Sequence, residues 1–359
     1  DDFSLDFATK AIFRGSLKRI EAIGNRRMKV LVTGGGGFSG RYIVEKLIAR
    51  GDDVTSLSRA DHPELRKAGA RTVTADISDK DSVLSALKGM DAVLHTASRV
   101  GIWGARKEFY KTNVSGTRNI IEACQKNGVG RLVYTSSPSV VFDGEDHRGI
   151  DETYPYPSRY LAFYPETKAI AEREVLAANG DGGLLTCSLR PHLVWGPRDT
   201  NLIPRLIEKA KSGRLRIVGD GTNMIDTVYV ENSADAHILA VDKLEIPGSP
   251  VAGSAYFISQ GEPVNCWEWI NDVLNRFGLP PVTRKVSFKT AYAVGSVMEL
   301  AYKTFNIGSE PPMTRFLALQ LAKSHYFNID KARKELGYQP TISMEEGMER
   351  LAGSFGKKR

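Results

Sequence analysis

The sequence predicts an α/β protein: a doubly wound parallel sheet followed by a smaller, mixed substrate-binding part toward the C-terminus. Two patterns predict it. From Met28 to about residue 190, short aliphatic or β-branched runs alternate with stretches of helical periodicity. Such alternation sets strands side by side in a parallel sheet, covers both faces with helices and requires right-handed crossovers. Beyond that point Pro191, Pro197, Pro204, Pro280-Pro281 and Pro311-Pro312 break the rhythm, because proline fixes φ and removes a backbone donor.

Residues 1–27 precede the pattern. Phe3, Phe7 and Ala11 share a helical face, and Lys10, Arg14, Lys18 and Arg19 make the second half basic; the segment reads as a leader or appendage and stands outside the fold. The first strand, 29–33, is the aliphatic run Lys29-Val30-Leu31-Val32 closing on Thr33. TGGGGFSG at 33–40 follows, and then Tyr42, Ile43, Val44, Leu47 and Ile48 recur at helical spacing over 39–50. Between a strand and a helix, Gly34, Gly37 and Gly40 allow a sharp turn, close approach to a pyrophosphate and tight helix-on-strand packing, and the helix N-terminus faces the phosphates. Phe38, inside the turn, is grouped with these cofactor-binding residues. Without such flanks a glycine run is as readily a surface loop.

Further strands are expected at 54–58, 71–75, 92–96, 131–136 and 184–189, and helices near 62–68, 79–88, 106–127 and 165–178. Strands at 225–230 and 255–259 are expected to rejoin the sheet. The resulting plan is a dinucleotide-binding domain at 28–190, with 222–260 returning to it, and a substrate-binding domain at 191–221 and 261–359. A chain of 359 residues with 42% hydrophobic content can bury a core of this size.

Several classes are disfavoured. The formal charge of +7 is scattered apart from the first segment and the Lys357-Lys358-Arg359 tail, so it reads as solvated surface and not as a nucleic-acid footprint. Cys124, Cys187 and Cys266 lack paired spacing and neighbouring histidines, which argues against a metal site or disulfides and for a reducing, cytoplasmic setting. No run reaches the roughly 18 apolar residues of a spanning helix.

Ligands of such sheets sit at the carboxyl ends of the strands, and the remaining motifs fall there. The second strand ends on Ser58-Arg59, where an NAD-selective site usually has an acid; Asp52 and Asp53 lie at its other end. A guanidinium and a hydroxyl suit a 2′-phosphate, so NADP(H) is preferred over NAD(H). The competing reading has Arg59 stacking beside adenine or capping a turn. Ser137, Tyr164 and Lys168 supply the chemistry. Tyr164 and Lys168 of YPETK share a helix face, with Pro165 suited to a first helical turn. Tyr42 and Lys46 have the same spacing, but in a helix where Tyr42 packs on the sheet. A free phenol titrates near 10; a neighbouring ammonium and an oxidised nicotinamide favour phenolate. Tyr164 then exchanges a proton with a substrate oxygen that Ser137 holds, and Lys168 also holds the nicotinamide ribose. The plain alternative makes Ser136 and Ser137 turn residues and Tyr164 core.

TGGGGFSG, TADISD around Asp76, LHTAS at 94–98, Asn113, YTSS at 134–137, YPETK and LRPHLVWGP at 189–197 resemble, in that order, the extended short-chain dehydrogenase/reductases. The resemblance implies a Rossmann fold binding a nicotinamide dinucleotide. It places Asp76 and Ile77 beside adenine and Thr96, Ala97 and Ser98 along the cofactor cleft. It also places Pro191-His192 against nicotinamide, and makes Asn113 a support of the active-site backbone. TSSPSVVFDG, PETKAIAE, GDGTNMIDTVYVEN and SHYFNIDKARKELGYQP look like the 3β-hydroxysteroid dehydrogenase branch. Ile225 stands where nucleotide-sugar epimerases and dehydratases commonly carry Arg before the Asp, so their diphosphate clamp is missing.

Within the branch, ASRVGIWG, SFKTAYAVG and PPMTRFLALQLAKSHYF are more similar to 2-alkyl-3-oxoalkanoate reductases than to decarboxylating sterol-4-carboxylate 3-dehydrogenases. The expected activity is a reversible NADPH-dependent reduction of a 3-oxo acid with long apolar substituents, by a homodimer. Alternatives are sterol oxidation, nucleotide-sugar epimerisation and NADP sensing without turnover. Arg198 and His192 are candidates to hold the substrate carboxylate. Ala291–Met298 is either a wall over the apolar chain or a plain core helix.

Overall fold

The computed structural model describes residues 27–356. In chain order the elements are β1 (Lys29–Thr33), α1 (Phe38–Arg50), β2 (Asp53–Ser58), α2 (Pro63–Ala68), β3 (Arg71–Thr74), α3 (Lys80–Ala86) and β4 (Ala92–His95). A continuous helical segment follows, built from α4 (Arg106–Phe109), a π-helical turn (Tyr110–Ser115) and α5 (Gly116–Asn127). Next come β5 (Arg131–Thr135), β6 (His147–Ile150), α6 (Phe163–Ala177), β7 (Leu185–Pro191), β8 (Val194–Trp195), α7 (Leu202–Lys211) and β9 (Ile217–Val218). The C-terminal part holds β10 (Met224–Ile225), β11 (Val228–Tyr229), α8 (Val230–Lys243), β12 (Ser254–Ile258), β13 (Val264–Asn265), α9 (Cys266–Arg276), β14 (Lys285–Val286), α10 (Phe288–Thr304), α11 (Arg315–Ala322), β15 (His325–Phe327) and α12 (Met344–Gly356). The leader reading of residues 1–27 lies outside the described residues but for Arg27.

Seven strands form one parallel sheet in the order β12-β7-β5-β4-β1-β2-β3. Its central strands are apolar on both sides because helices cover both faces. Val30 and Val32 of β1 belong to one core with Tyr42, Ile43 and Leu47 of α1 and Ala240 and Val241 of α8. Leu31, between them, belongs to the other, with Val83 of α3, Ile120 and Cys124 of α5 and Val175 of α6. Ala92, Val93 and Leu94 of β4 divide the same way. Each such aliphatic side chain contributes about 1.5–3 kcal/mol on burial, so a register slip in β1 or β4 is heavily penalised.

The strand expected at 225–230 is split. Met224 and Ile225 enter a separate mixed sheet of order β13-β10-β15-β6, whereas Val228 and Tyr229 pair with Val194 and Trp195, and Val230 opens α8. The cause lies in the two residues between: the Asp226 carboxylate accepts from the Phe327 N–H at 3.0 Å, and the Thr227 hydroxyl accepts from the Trp195 indole at 3.0 Å. The backbone changes partner there: the Asp226 N–H donates to the His325 carbonyl at 3.4 Å, whereas the Thr227 carbonyl accepts from the Gln260 N–H at 2.7 Å. The strand expected at 255–259 is β12, and it rejoins the main sheet beside β7. Among the described residues no helix is long and apolar enough to cross a membrane.

Candidate active site

The glycine turn folds back on itself at the end of β1. Gly34 sits at φ +68° and donates its N–H to the Leu57 carbonyl at 2.7 Å. A Cβ on Gly40 would lie 2.2 Å from the Gly34 oxygen. No side chain caps the start of α1 at Gly37, so its first N–H groups face outward unshared. A bare backbone cradle with free donors at a helix N-terminus fits the pyrophosphate of a dinucleotide. Phe38 begins the helix and packs partly against the core.

Ser58 closes β2 and accepts from the Gly36 N–H at 3.2 Å, and Arg59 beside it is exposed. Asp76, past β3, would be pushed up by its burial, but the Ser78 N–H and hydroxyl, Lys111 and Arg59 together hold its carboxyl below the usual range. Ile77 is buried against Gly116, and its carbonyl accepts from Asn119. The loop after β4 lies on the glycine turn: the Thr96 hydroxyl donates to the Thr33 carbonyl at 2.7 Å and the Ala97 N–H to the Thr33 hydroxyl at 3.2 Å, with Ser98 half-buried next to them. His62, which the sequence gave no reason to single out, has its Nε2 2.0 Å from where a Gly36 Cβ would stand, and its Nδ1 pairs with Glu64 at 3.2 Å.

Asn113 sits in the π-helical turn, a distortion that exposes a side chain to unusual partners. Its amide oxygen accepts from the Arg99 N–H at 2.7 Å; its amide nitrogen donates to the Arg99 carbonyl at 3.1 Å and to Thr167 at 3.0 Å. Thr167 adjoins Lys168, so one side chain fixes both the loop after β4 and the first turns of α6.

Ser137 lies two residues past β5 in extended conformation and bonds the Ser139 N–H at 3.2 Å and hydroxyl at 2.9 Å. Tyr164 lies in the first turn of α6. Burial pushes its phenol up to about 12, and a hydrogen bond with Ser137 pulls the other way without reversing this. Lys168, one turn on, is 1% exposed. Its ammonium donates to the Thr135 carbonyl and stands 4.0 Å from the centre of the Tyr134 ring. Burial brings it down to about 7, with the Glu172 carboxylate opposing. The sequence argument expected this amine to favour phenolate at Tyr164. In the structure burial favours the neutral phenol, and the amine lies against a carbonyl and an aromatic face.

Beneath Lys168 lies a pair that the sequence did not disclose: Arg190 and Glu172, both buried, 2.7 Å apart, with Ser188 and Tyr156 completing the carboxylate's bonds. Pro191 and His192 follow on β7. His192 Nδ1 is 2.6 Å from Asp226, and its Nε2 is 3.1 Å from His325 Nδ1. Of the two candidates for holding a carboxylate, Arg198 is committed elsewhere, bonded to Glu45 at 2.7 and 2.9 Å and lying over the Tyr42 ring. Tyr42 itself packs in the core and Lys46 pairs with Asp235, so that tyrosine–lysine pair joins α1 to its neighbours.

An apolar cluster distinct from the two main cores includes Ala162, two residues before Tyr164 in the chain. Phe142, Ala162, Phe316 and Leu319 form it, with Ile102, Phe288 and Tyr292 packed on them. The 291–298 stretch contributes only its inner side: Tyr292 joins the cluster, whereas Val297 is 67% exposed. Among the described residues no group of histidines, cysteines and acids could hold a metal, and the three cysteines are buried and unpaired.

Comparison with known proteins gives consistent results. Residues 31–289 match the model of the 3-beta hydroxysteroid dehydrogenase/isomerase family. The chain is 47% identical to a 2-alkyl-3-oxoalkanoate reductase of Stenotrophomonas maltophilia, over 91% of its own length and 99% of that protein's. It is 34% identical to the human sterol-4-alpha-carboxylate 3-dehydrogenase, decarboxylating, over 92% and 89%. A solved structure of MoeE5 in complex with UDP-glucose and NAD is similar with a TM-score of 0.70 at 26% identity, covering 92% of this chain and 99% of that one.

Proposed function

Since the chain belongs to the 3-beta hydroxysteroid dehydrogenase/isomerase family, a family of NAD(P)-dependent oxidoreductases, we propose that it reduces a 2-alkyl-3-oxoalkanoate to the 2-alkyl-3-hydroxyalkanoate with NADPH. The observation that carries this reading is the placement of Tyr164 in the first turn of α6 with Lys168 one turn on and Ala162, two residues before the phenol, in an apolar cluster. The names of the relatives support the substrate class.

The dinucleotide, when bound, supplies the hydride. Gly34, Gly37, Phe38 and Gly40 would hold its pyrophosphate; Ser58, Arg59, Asp76 and Ile77 its adenosine half; Thr96, Ala97, Ser98, Pro191 and His192 its nicotinamide half. Ser137 donates a hydrogen bond to the substrate's 3-oxo oxygen, and Tyr164 delivers the proton as that oxygen gains charge. A phenol held at about 12 keeps its proton through the neutral range and serves as the acid. Once the proton has left, the Lys168 amine, one turn away, stabilises the phenolate and favours its reprotonation. Asn113 and Thr167 keep α6 and the loop after β4 in register during these transfers.

NADPH consumption is measured against 2-alkyl-3-oxo acids, with sterol acids as the competing substrates. Oxidation of one NADPH per 3-oxo acid is expected; turnover confined to sterols would overturn the substrate assignment. Tyr164→Phe is expected to lose turnover by about 10²–10⁴-fold while NADPH affinity is retained.

A further inference from the structure

The proposed reaction uses neither Asp226 nor His325, yet both are buried and both join His192 where β7 leaves the main sheet. Three hydrogen bonds run in series. Asp226 Oδ1 is 2.6 Å from His192 Nδ1, His192 Nε2 is 3.1 Å from His325 Nδ1, and His325 Nε2 is 2.8 Å from the Gln320 carbonyl oxygen. A carbonyl can only accept, and each bond requires one proton. Two neutral imidazoles supply two. With all three bonds made, the chain holds one proton more than a carboxylate and two neutral rings would carry.

Its location follows from the surroundings. The second oxygen of Asp226 accepts from the Phe327 N–H at 3.0 Å, so both oxygens are engaged as acceptors. Burial, with His192 alongside, holds His325 down at about 3, so this ring stays neutral. The hydrogen-bond count therefore places a proton on each ring nitrogen of His192, one facing Asp226 and one facing His325. Among the described residues the other titratable groups close to this chain are His147 on β6, itself paired with Asp143 at 3.0 Å, and Tyr338 near Asp226.

Gln320 belongs to the last turn of α11, and the same helix contributes Phe316 and Leu319 to the apolar cluster that includes Ala162. The chain of bonds thus ties that wall to the end of β7. Resting on the reading that the cluster receives the substrate's alkyl chains, we infer that His192, Asp226 and His325 are positioning residues, a proton-held tether that fixes α11 and thereby sets the chain length the pocket accepts.

Two measurements test this. In ¹⁵N–¹H spectra of the histidine rings of the unaltered protein, His192 shows both ring nitrogens protonated at neutral pH; a singly protonated His192 at neutral pH overturns the tether. In kinetics, His325→Phe keeps a ring but removes both nitrogens, orphaning His192 Nε2 and the Gln320 carbonyl. It raises KM for long-chain 2-alkyl-3-oxo acids by about tenfold and leaves short-chain kcat unchanged. His325→Gln, which can accept and donate at once, restores most of the long-chain affinity. Equal KM changes for short and long substrates, or none, refute the assignment. If no 3-oxo acid is turned over by the unaltered enzyme, the proposed function fails, while the ring spectra still decide the tether and do not depend on the variant folding.

Discussion

Replacing Lys168 with Met removes a buried amine whose titration leaves a readable mark on stability. Burial brings that amine from its ordinary 10.5 down to about 7. Between those values the unfolded chain holds a proton that the native protein has released, so native stability rises with pH across the window. Each pH unit well inside it contributes about 1.4 kcal/mol. The pushed-up phenol of Tyr164 acts in the opposite sense, but only above its ordinary 10.0, outside the working range. Urea unfolding of the unaltered and Lys168→Met proteins at pH 7.5 and 9.5, without cofactor, isolates the effect, because all other titrations cancel in the difference. The stability of the unaltered protein is expected to gain on the variant by about 2–3 kcal/mol over those two units. Parallel profiles would refute the argument, showing that the amine keeps its ordinary proton affinity despite its burial.

Gly40→Ala places a methyl group where only 2.2 Å separates it from the Gly34 oxygen; the turn must open, and dinucleotide affinity measured by titration calorimetry is expected to fall at least tenfold with the fold intact. Arg59→Ala is expected to weaken NADPH binding by about tenfold while leaving NADH nearly unchanged; an equal loss for both would assign Arg59 to packing. Arg190→Met strands the Glu172 carboxylate in the core and is expected to cost about 3–5 kcal/mol in denaturant unfolding.

The glycine turn was legible because a turn between a β-branched strand and an amphipathic helix is a local pattern, as was the helix that carries Tyr164 and Lys168. Local patterns do not say where a flexible amine ends. Lys168 goes to the Thr135 carbonyl and the Tyr134 face, and both partners depend on how α6 packs over β5. The split of the expected 225–230 strand has a similar origin. Met224, Ile225, Val228 and Tyr229 look like one apolar run, but Asp226 is bonded to residues 34 positions before it and 101 after it. His325 lies 133 residues from His192, and no periodicity links them. Arg198 illustrates the converse: a loop arginine that the sequence offered as a carboxylate holder is taken up by a glutamate and a tyrosine of α1.

The return of β12 to lie beside β7 means that the two parts of the molecule cannot be exchanged as cassettes. A fragment ending at residue 190 would lack its seventh strand and would present β7 as a bare edge, an invitation to intermolecular pairing. Hybrids with related enzymes would therefore have to transplant residues 191–229 and the segment after 258 as two inserts, leaving α8 and β12 with their host.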